Sequence, residues 1–117
     1  MAKILVVDDA FIALNILTIM IENGGHQAVR ANDSNEGLVK IEEEKPDIVI
    51  TDLLMPNLDG LSFLRAIRET YPKLPVIIMS ANIQKSVRQK CLDAGASEFM
   101  HKPPNPEELR ATIKALL

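Results

Sequence analysis

The sequence predicts an α/β fold: one parallel five-stranded sheet, doubly wound, with helices on both faces. Three observations carry that expectation. Short β-prone runs recur at Lys3–Val7, Gln27–Ala31, Ile48–Thr51, Val76–Met79 and Ser97–His101. Segments with helix start and stop signals separate them, an alternation that belongs to parallel sheets. Three of the runs (KILVV, IVIT and VIIM) are apolar without alternation, as strands covered on both faces are. Right-handed crossovers restrict the topologies, and the doubly wound strand order 2-1-3-4-5 suits five strands.

Each element has a local reason. Lys3–Val7 ends on Asp8-Asp9, and a helix over Ala10–Asn23 follows, capped by an aspartate and closed by Gly24-Gly25. Gln27–Ala31 is more polar and reads as an edge strand. Asp33 and Glu36 form a capping box for a helix over Ser34–Glu44, which Pro46 ends. Ile48–Thr51 stops abruptly on Asp52. Pro56 and the Asn57–Gly60 cluster then make a loop, and Asp59 caps a helix over Gly60–Thr70. Tyr71–Pro75 is a turn, Val76–Met79 ends on Ser80, and a helix near Ile83–Ala94 closes at Gly95. Ser97–His101 is the last strand, ending on Lys102-Pro103-Pro104. Asn105, Pro106 and Glu108 supply N-cap, N1 proline and capping-box glutamate for a helix to about Leu116.

Length and composition bound the function. The 117 residues make one domain, residues 1–117, with 47% hydrophobic and 25% charged residues, an ordinary globular balance. A net charge of −3 argues against a direct nucleic-acid surface, which needs a basic face. Cys91 is the single cysteine, so no intrachain disulfide forms, in keeping with a reducing cytoplasm. The longest apolar stretch, Ala10–Ile21, is too short and too interrupted to span a bilayer. No segment has the pattern of a signal peptide.

The chemistry gathers at strand ends. In the order 2-1-3-4-5 the first and third strands are neighbours, so Asp8, Asp9 and Asp52 share a crevice. Three carboxylates repel and tend to hold their protons, a conflict that a hard divalent cation such as Mg²⁺ removes. Lys102 adds a movable positive charge and Ser80 a hydroxyl donor. A cation, a lysine and a hydroxyl around a carboxylate make a receptor for a phosphoryl group, with Asp52 as the natural nucleophile. Singly, each residue has an ordinary reading as a cap, a turn residue or a solvated charge; together, each at a strand end, they do not.

VVDD at Val6–Asp9, DLLMPNLDG at Asp52–Gly60, MSA at Met79–Ala81, DAGA at Asp93–Ala96 and Lys102-Pro103 together resemble response-regulator receiver domains, in a form close to the single-domain CheY-like proteins. The likeness spans the whole chain and implies the flavodoxin-like (βα)5 fold. It implies that Asp52 accepts phosphate from a histidine kinase or histidine-phosphotransfer protein. It implies Mg²⁺ held by Asp9, by Asp8 mainly through water, by Asp52 and by the backbone carbonyl of Leu54. Ser80 and Lys102 resemble the pair that grips the phosphoryl oxygens, Phe99 the aromatic that changes rotamer with Ser80, and Lys102-Pro103 a cis bond. The output surface implied is the face of the fourth helix, fifth strand and fifth helix. Such a domain catalyses its own phosphorylation and dephosphorylation and is not a turnover enzyme.

Some positions depart from that pattern. Leu54 and Asn82 lie where the resemblance places lifetime control, and an apolar Leu54 cannot orient a water, so slow self-dephosphorylation is expected. Phe99 lacks the hydroxyl of the equally common tyrosine. Pro104 stands where an aromatic is frequent, which removes packing at the start of the last helix. The first helix has a core stripe expected at Ala13, Ile16, Leu17 and Met20, leaving Phe11, Ile12, Leu14, Ile19 and Ile21 surplus. Phe11 and Leu14 are therefore expected to be exposed and to contact a phosphodonor or a second receiver. His26 and His101 are expected at the surface, and Cys91 as a buried helix residue.

Three other functions compete. A phosphohydrolase with an aspartate nucleophile wants a second acid at the position of Leu54. A flavodoxin-like carrier would set Asp8-Asp9 against its ligand's phosphate. A receiver-shaped scaffold that is never phosphorylated would have no use for the acidic set and Lys102.

Overall fold

Alternation along the buried strands divides the core into two layers, one on each face of a single sheet. The computed structural model describes residues 1–55 and 58–117. Its strands are β1 (Lys3–Val7), β2 (Gln27–Ala31), β3 (Ile48–Asp52), β4 (Val76–Ser80) and β5 (Glu98–His101). All pairings are parallel, in the expected order β2-β1-β3-β4-β5. The helices are α1 (Phe11–Asn23), α2 (Ser34–Glu44), α3 (Gly60–Thr70), α4 (Lys85–Asp93) and α5 (Pro106–Leu116). Within β1, Ile4 and Val6 join Leu14, Leu17 and Ile21 of α1 and Leu109 and Ile113 of α5. Leu5 and Val7 point the other way, into the layer of Ile41, Phe63, Leu64, Ile67 and Cys91. A period of two in the strands thus feeds both faces, which is why the runs carry no polar alternation.

The helix ends follow local chemistry. Asp33 accepts from the Glu36 N–H, Asp59 from the Ser62 N–H at 2.8 Å, and Asn105 from the Glu107 and Glu108 N–H groups. The Glu36 carboxylate reaches back to the Asn32 N–H at 2.6 Å, one residue earlier than a standard capping box. Gly25 (φ 86°) and Gly95 (φ 108°) take the left-handed conformation beyond α1 and α4. There the His26 N–H returns to the Ile21 carbonyl and the Ala96 N–H to that of Cys91, closing both helices.

Several expectations need correction. No aspartate caps α1: its N-cap is Ala10, whose N–H donates to Asp8 Oδ1 at 2.9 Å. The core stripe of α1 is Leu14, Leu17, Thr18 and Ile21. Leu14, expected to be exposed, is 1% exposed, whereas Ile16, expected in the core, is 42% exposed. Phe11, Ile12 and Ile19 are exposed as expected. The error has a physical origin: α1 is apolar on nearly every side, so periodicity cannot say which side faces the sheet.

Helix α4 begins at Lys85, not Ile83, because Asn82 turns the chain first and accepts the Gln84 N–H at 3.0 Å. Pro104 is itself buried, and with Pro103 it lines an apolar groove against α1. His26 is half-buried rather than free at the surface, and its Nδ1 accepts the Ala2 N–H at 2.9 Å. His101 is exposed and Cys91 buried, as expected. Pro56 and Asn57 of the anticipated loop lie outside the described residues. No helix among the described residues is long and apolar enough to cross a membrane.

Candidate functional site

Strand register decides which side chains meet. Val7 pairs with Thr51, Asp52 with Met79, and Ser80 with His101. Ladder hydrogen bonds continue one residue past the strands, from the Asp8 N–H to Ala31 and from the Lys102 N–H to Ser80. The strands therefore stop at a common level, and the residues at their carboxyl ends share one rim. Lys102 is followed by a cis bond to Pro103.

Asp8 and Asp52 meet across the switch point. Lys102 Nζ lies 2.7 Å from Asp8 Oδ2 and 3.2 Å from Asp52 Oδ2. Asp8 is buried and keeps its other oxygen on the Ala10 N–H, so its orientation is held from two sides. Asp9 is exposed. Carboxylate oxygens of Asp8, Asp9 and Asp52 all lie within 4.8 Å of one another. An all-oxygen set of that spacing suits a hard divalent cation, and soft or imidazole-seeking metals find no sulfur or nitrogen in it.

The electrostatics follow from burial. Burial pushes the Asp52 carboxyl above the usual carboxylate range; Lys102 pulls it back, and Asp8 pushes it up again. Burial alone would lower the Lys102 ammonium, but hydrogen bonding to Asp8 and the charges of both carboxylates outweigh it, and the net shift is upward. The two directions agree: without a divalent cation, one lysine incompletely neutralises the acidic rim.

Ser80 is buried, and its Oγ accepts the Asn82 N–H at 3.0 Å. Asp52, Leu54, Ser80, Ala81, Asn82 and Lys102 line a cavity of about 390 Å³ that opens to solvent. Of its lining residues Leu54 is 74% exposed and Asn82 is also exposed, so both stand at its mouth. Phe99 is buried in the layer of α3 and α4 and pairs in register with Ile78. Of the candidate site residues, Asp52, Leu54, Ser80, Asn82 and Lys102 line this cavity and Asp8 joins it through Lys102, whereas Asp9 and Phe99 are not in its lining.

A family model described as response regulator receiver domain matches residues 4–114. The chain belongs to the response regulator receiver domain family. Among its relatives, the alkaline phosphatase synthesis transcriptional regulatory protein PhoP of Bacillus subtilis is 35% identical over 98% of this chain and 48% of its own length. The response regulator MprA of Mycolicibacterium vanbaalenii is 39% identical over 98% and 50%. The chain thus spans about half the length of the curated relatives it matches. Among solved structures, a response regulator receiver domain protein from Clostridium thermocellum superposes with a TM-score of 0.93 at 33% identity, covering 99% of this chain and 94% of that one. Chemotaxis protein CheY4 of Vibrio cholerae gives 0.94 at 29%, covering 100% and 99%. Receiver domains of two-component response regulators are generally signalling modules rather than classical enzymes, and the acidic cluster of this one is compatible with Mg²⁺.

Sequence reasoning passed over two residues at the site's edge. Ser34, at the start of α2, is fully buried, and its hydroxyl donates to the Leu58 carbonyl at 2.5 Å. Thr51, one residue before Asp52, is also fully buried, and both hydroxyls lie 4.0 Å from the Met55 sulfur. They tie the loop after Asp52 to the sheet and to α2. In the sequence Ser34 reads only as a helix-start residue and Thr51 only as a strand former, with no sign of a shared partner.

Proposed function

We propose that residues 1–117 form one receiver domain that accepts a phosphoryl group on Asp52, in a Mg²⁺-dependent reaction with a partner histidine kinase or histidine-phosphotransfer protein. The observation that carries this reading is the cluster of Asp8, Asp9 and Asp52 oxygens within 4.8 Å, with Lys102 between two of them. Asp8, Asp9, Asp52 and the Leu54 backbone carbonyl would hold Mg²⁺, which when bound offsets the repulsion between the carboxylates and an incoming phosphoryl group.

The remaining roles belong to the chain itself. An Asp52 carboxylate oxygen bonds to phosphorus as the donor's P–N bond breaks, and the departing imidazole takes up a proton. Lys102 transfers its hydrogen bonds from the carboxylates to a phosphoryl oxygen. The Ser80 hydroxyl, an acceptor for the Asn82 N–H, donates to another. Ser80 moves inward, Phe99 follows, and the α4–β5–α5 face shifts its population toward a partner-binding form. A hydrolase reading is disfavoured because Leu54 supplies no general acid. A cytoplasmic setting suits this chemistry.

Asp52→Asn tests the acceptor. With Mg²⁺ and a small phosphodonor, wild type should gain one hydroxylamine-labile phosphoryl group by intact mass, and the variant none; labelling of the variant would sink the assignment. The same variant has a signed pH effect in metal-free buffer. A carboxyl whose folded pKa is raised contributes stability at acid pH, lost as pH rises through the folded value. Asp52→Asn should therefore raise Tm at pH 7 and not at pH 3.

Leu54 and Asn82 are proposed to set phosphoryl lifetime. An apolar Leu54 beside the acceptor leaves the attacking water unoriented, so Leu54→Asn should shorten the half-life of the acyl phosphate about tenfold. An unchanged half-life in that variant would remove Leu54 from the role.

The exposed part of α1 is proposed to receive the phosphodonor. An apolar groove of about 310 Å³, lined by Ile12, Ile16, Leu17, Pro103 and Pro104 among others, runs from α1 to Lys102. Phe11, 69% exposed, lies on another side of α1, with the Arg30 guanidinium 5.9 Å from its ring centre, and extends the apolar surface of the helix beyond the groove. Leu14 is withdrawn from this surface because it is buried. Phe11→Asp should slow phosphorylation by the cognate kinase tenfold or more and leave small-molecule phosphorylation within twofold. Equal slowing of both reactions would place the defect in the site instead.

A further inference from the structure

The DG pair that ends DLLMPNLDG is only half explained by helix capping. Asp59 caps α3, but Gly60 does something separate. It is buried at the first position of α3, and its N–H donates to the Leu53 carbonyl at 2.8 Å. A Cβ built on it would overlap the backbone oxygen of Asp52 itself. It would also lie 2.7 Å from Leu53 Cα and 3.0 Å from the Leu53 carbonyl oxygen. All three are backbone atoms, which cannot swing aside as a side chain can.

Both sides of this contact are anchored. Helix α3 is fixed by Phe63, Leu64 and Ile67, each fully buried, and by the Asp59 cap. The acceptor strand is held to β4 by the bond from the Leu53 N–H to the Met79 carbonyl at 3.0 Å. Beyond Leu53 the chain turns toward Leu54, exposed at the cavity mouth, so relief of a clash falls on the Asp52–Leu54 backbone.

We infer that Gly60 is a positioning residue: its missing side chain lets the start of α3 press on the Asp52–Leu53 peptide and hold the acceptor and the Leu54 carbonyl in the geometry that binds Mg²⁺ and accepts phosphate. The inference rests on the reading of Asp52 as acceptor and of the Leu54 carbonyl as ligand. A second glycine supplies the control. A Cβ on Gly37, buried in α2, would lie 2.8 Å from Phe63 Cζ and 3.2 Å from Val7 Cγ2, crowding core side chains and no acceptor backbone.

The test compares wild type, Gly60→Ala and Gly37→Ala in three measurements: Tm by circular dichroism, Mg²⁺ affinity from amide NMR shifts with Mg²⁺ alone, and labelling rate with a small phosphodonor at saturating Mg²⁺. Gly37→Ala should lower Tm and leave Mg²⁺ affinity and labelling rate within twofold. Gly60→Ala should weaken Mg²⁺ binding tenfold or more and slow labelling by at least as much. Gly60→Ala within twofold of wild type at the site, or Gly37→Ala moving the site equally, overturns the inference. If Gly60→Ala does not fold, Asp59→Ala carries the test by freeing the same helix end without adding an atom. There, Mg²⁺ affinity weakened threefold or more supports the inference, and unchanged affinity overturns it. Wild type that binds Mg²⁺ but takes no label on Asp52 would instead overturn the acceptor reading, with the affinity comparison still deciding the role of Gly60.

Discussion

Lys102→Met should slow phosphorylation of Asp52 by about two to three orders of magnitude, the loss expected when a charge aimed at the transferring group is removed. The same variant should bind Mg²⁺ more tightly. Lys102 Nζ, 2.7 Å from Asp8 and 3.2 Å from Asp52, competes for the oxygens a metal would use. Methionine keeps the length of the stem and removes only the cation. Without metal, Asp8 is then left 1% exposed with no counter-ion. Breaking a buried pair on one side is strongly destabilising, and with Lys102 20% exposed the cost should be about 2–4 kcal/mol. Denaturant melts with EDTA and then with saturating Mg²⁺ should show that loss and its partial recovery. Labelling at the wild-type rate would remove Lys102 from the chemistry. Weaker Mg²⁺ binding would mean that it supports the acidic cluster rather than competing for it.

Phe63→Ala should be the most destabilising single change in the α2–α3 layer. The ring is fully buried, and it lies so close to α2 that a Cβ on Gly37 would collide with it. Its loss leaves a cavity between α2, α3 and β1, at a cost of about 3–5 kcal/mol. For a domain of this size that lowers Tm by roughly 10–20 °C. Phe11→Ala, at a residue 69% exposed, should move stability by less than about 0.5 kcal/mol. A Phe63→Ala protein that melts within a few degrees of wild type would mean that the layer collapses around the gap.

The contrast between those phenylalanines marks where the sequence is legible. Phe63 follows Asp59 and Gly60 in a helix of strong amphipathic contrast, so its inward face is apparent. Phe11 and Leu14 sit in a helix with apolar residues on nearly every side. Their sequence positions are equally consistent with burial and exposure, and only docking on β1 and β2 separates them. The acidic site was easier to read because each member follows a β-prone run, and parallel strands in register stop together. Asp8, Asp52, Ser80 and Lys102 needed only the strand order to be brought to one rim. The role of Gly60 was hidden for the opposite reason. Its neighbours are backbone atoms, and no residue type announces a close backbone approach.

Local physics is what the sequence by itself determined here. The apolar runs, the capping aspartates and asparagine, and the glycines beyond α1 and α4 act over a few residues. They set the alternation of strands and helices, and with it the sheet and the polar residues at its carboxyl edge. Tertiary structure decided the rest. It chose which side of α1 is buried, turned Asp8 toward an ammonium 94 residues away, and pressed the start of α3 against the acceptor strand. Such contacts arise where distant segments pack, and no short window of sequence contains both partners.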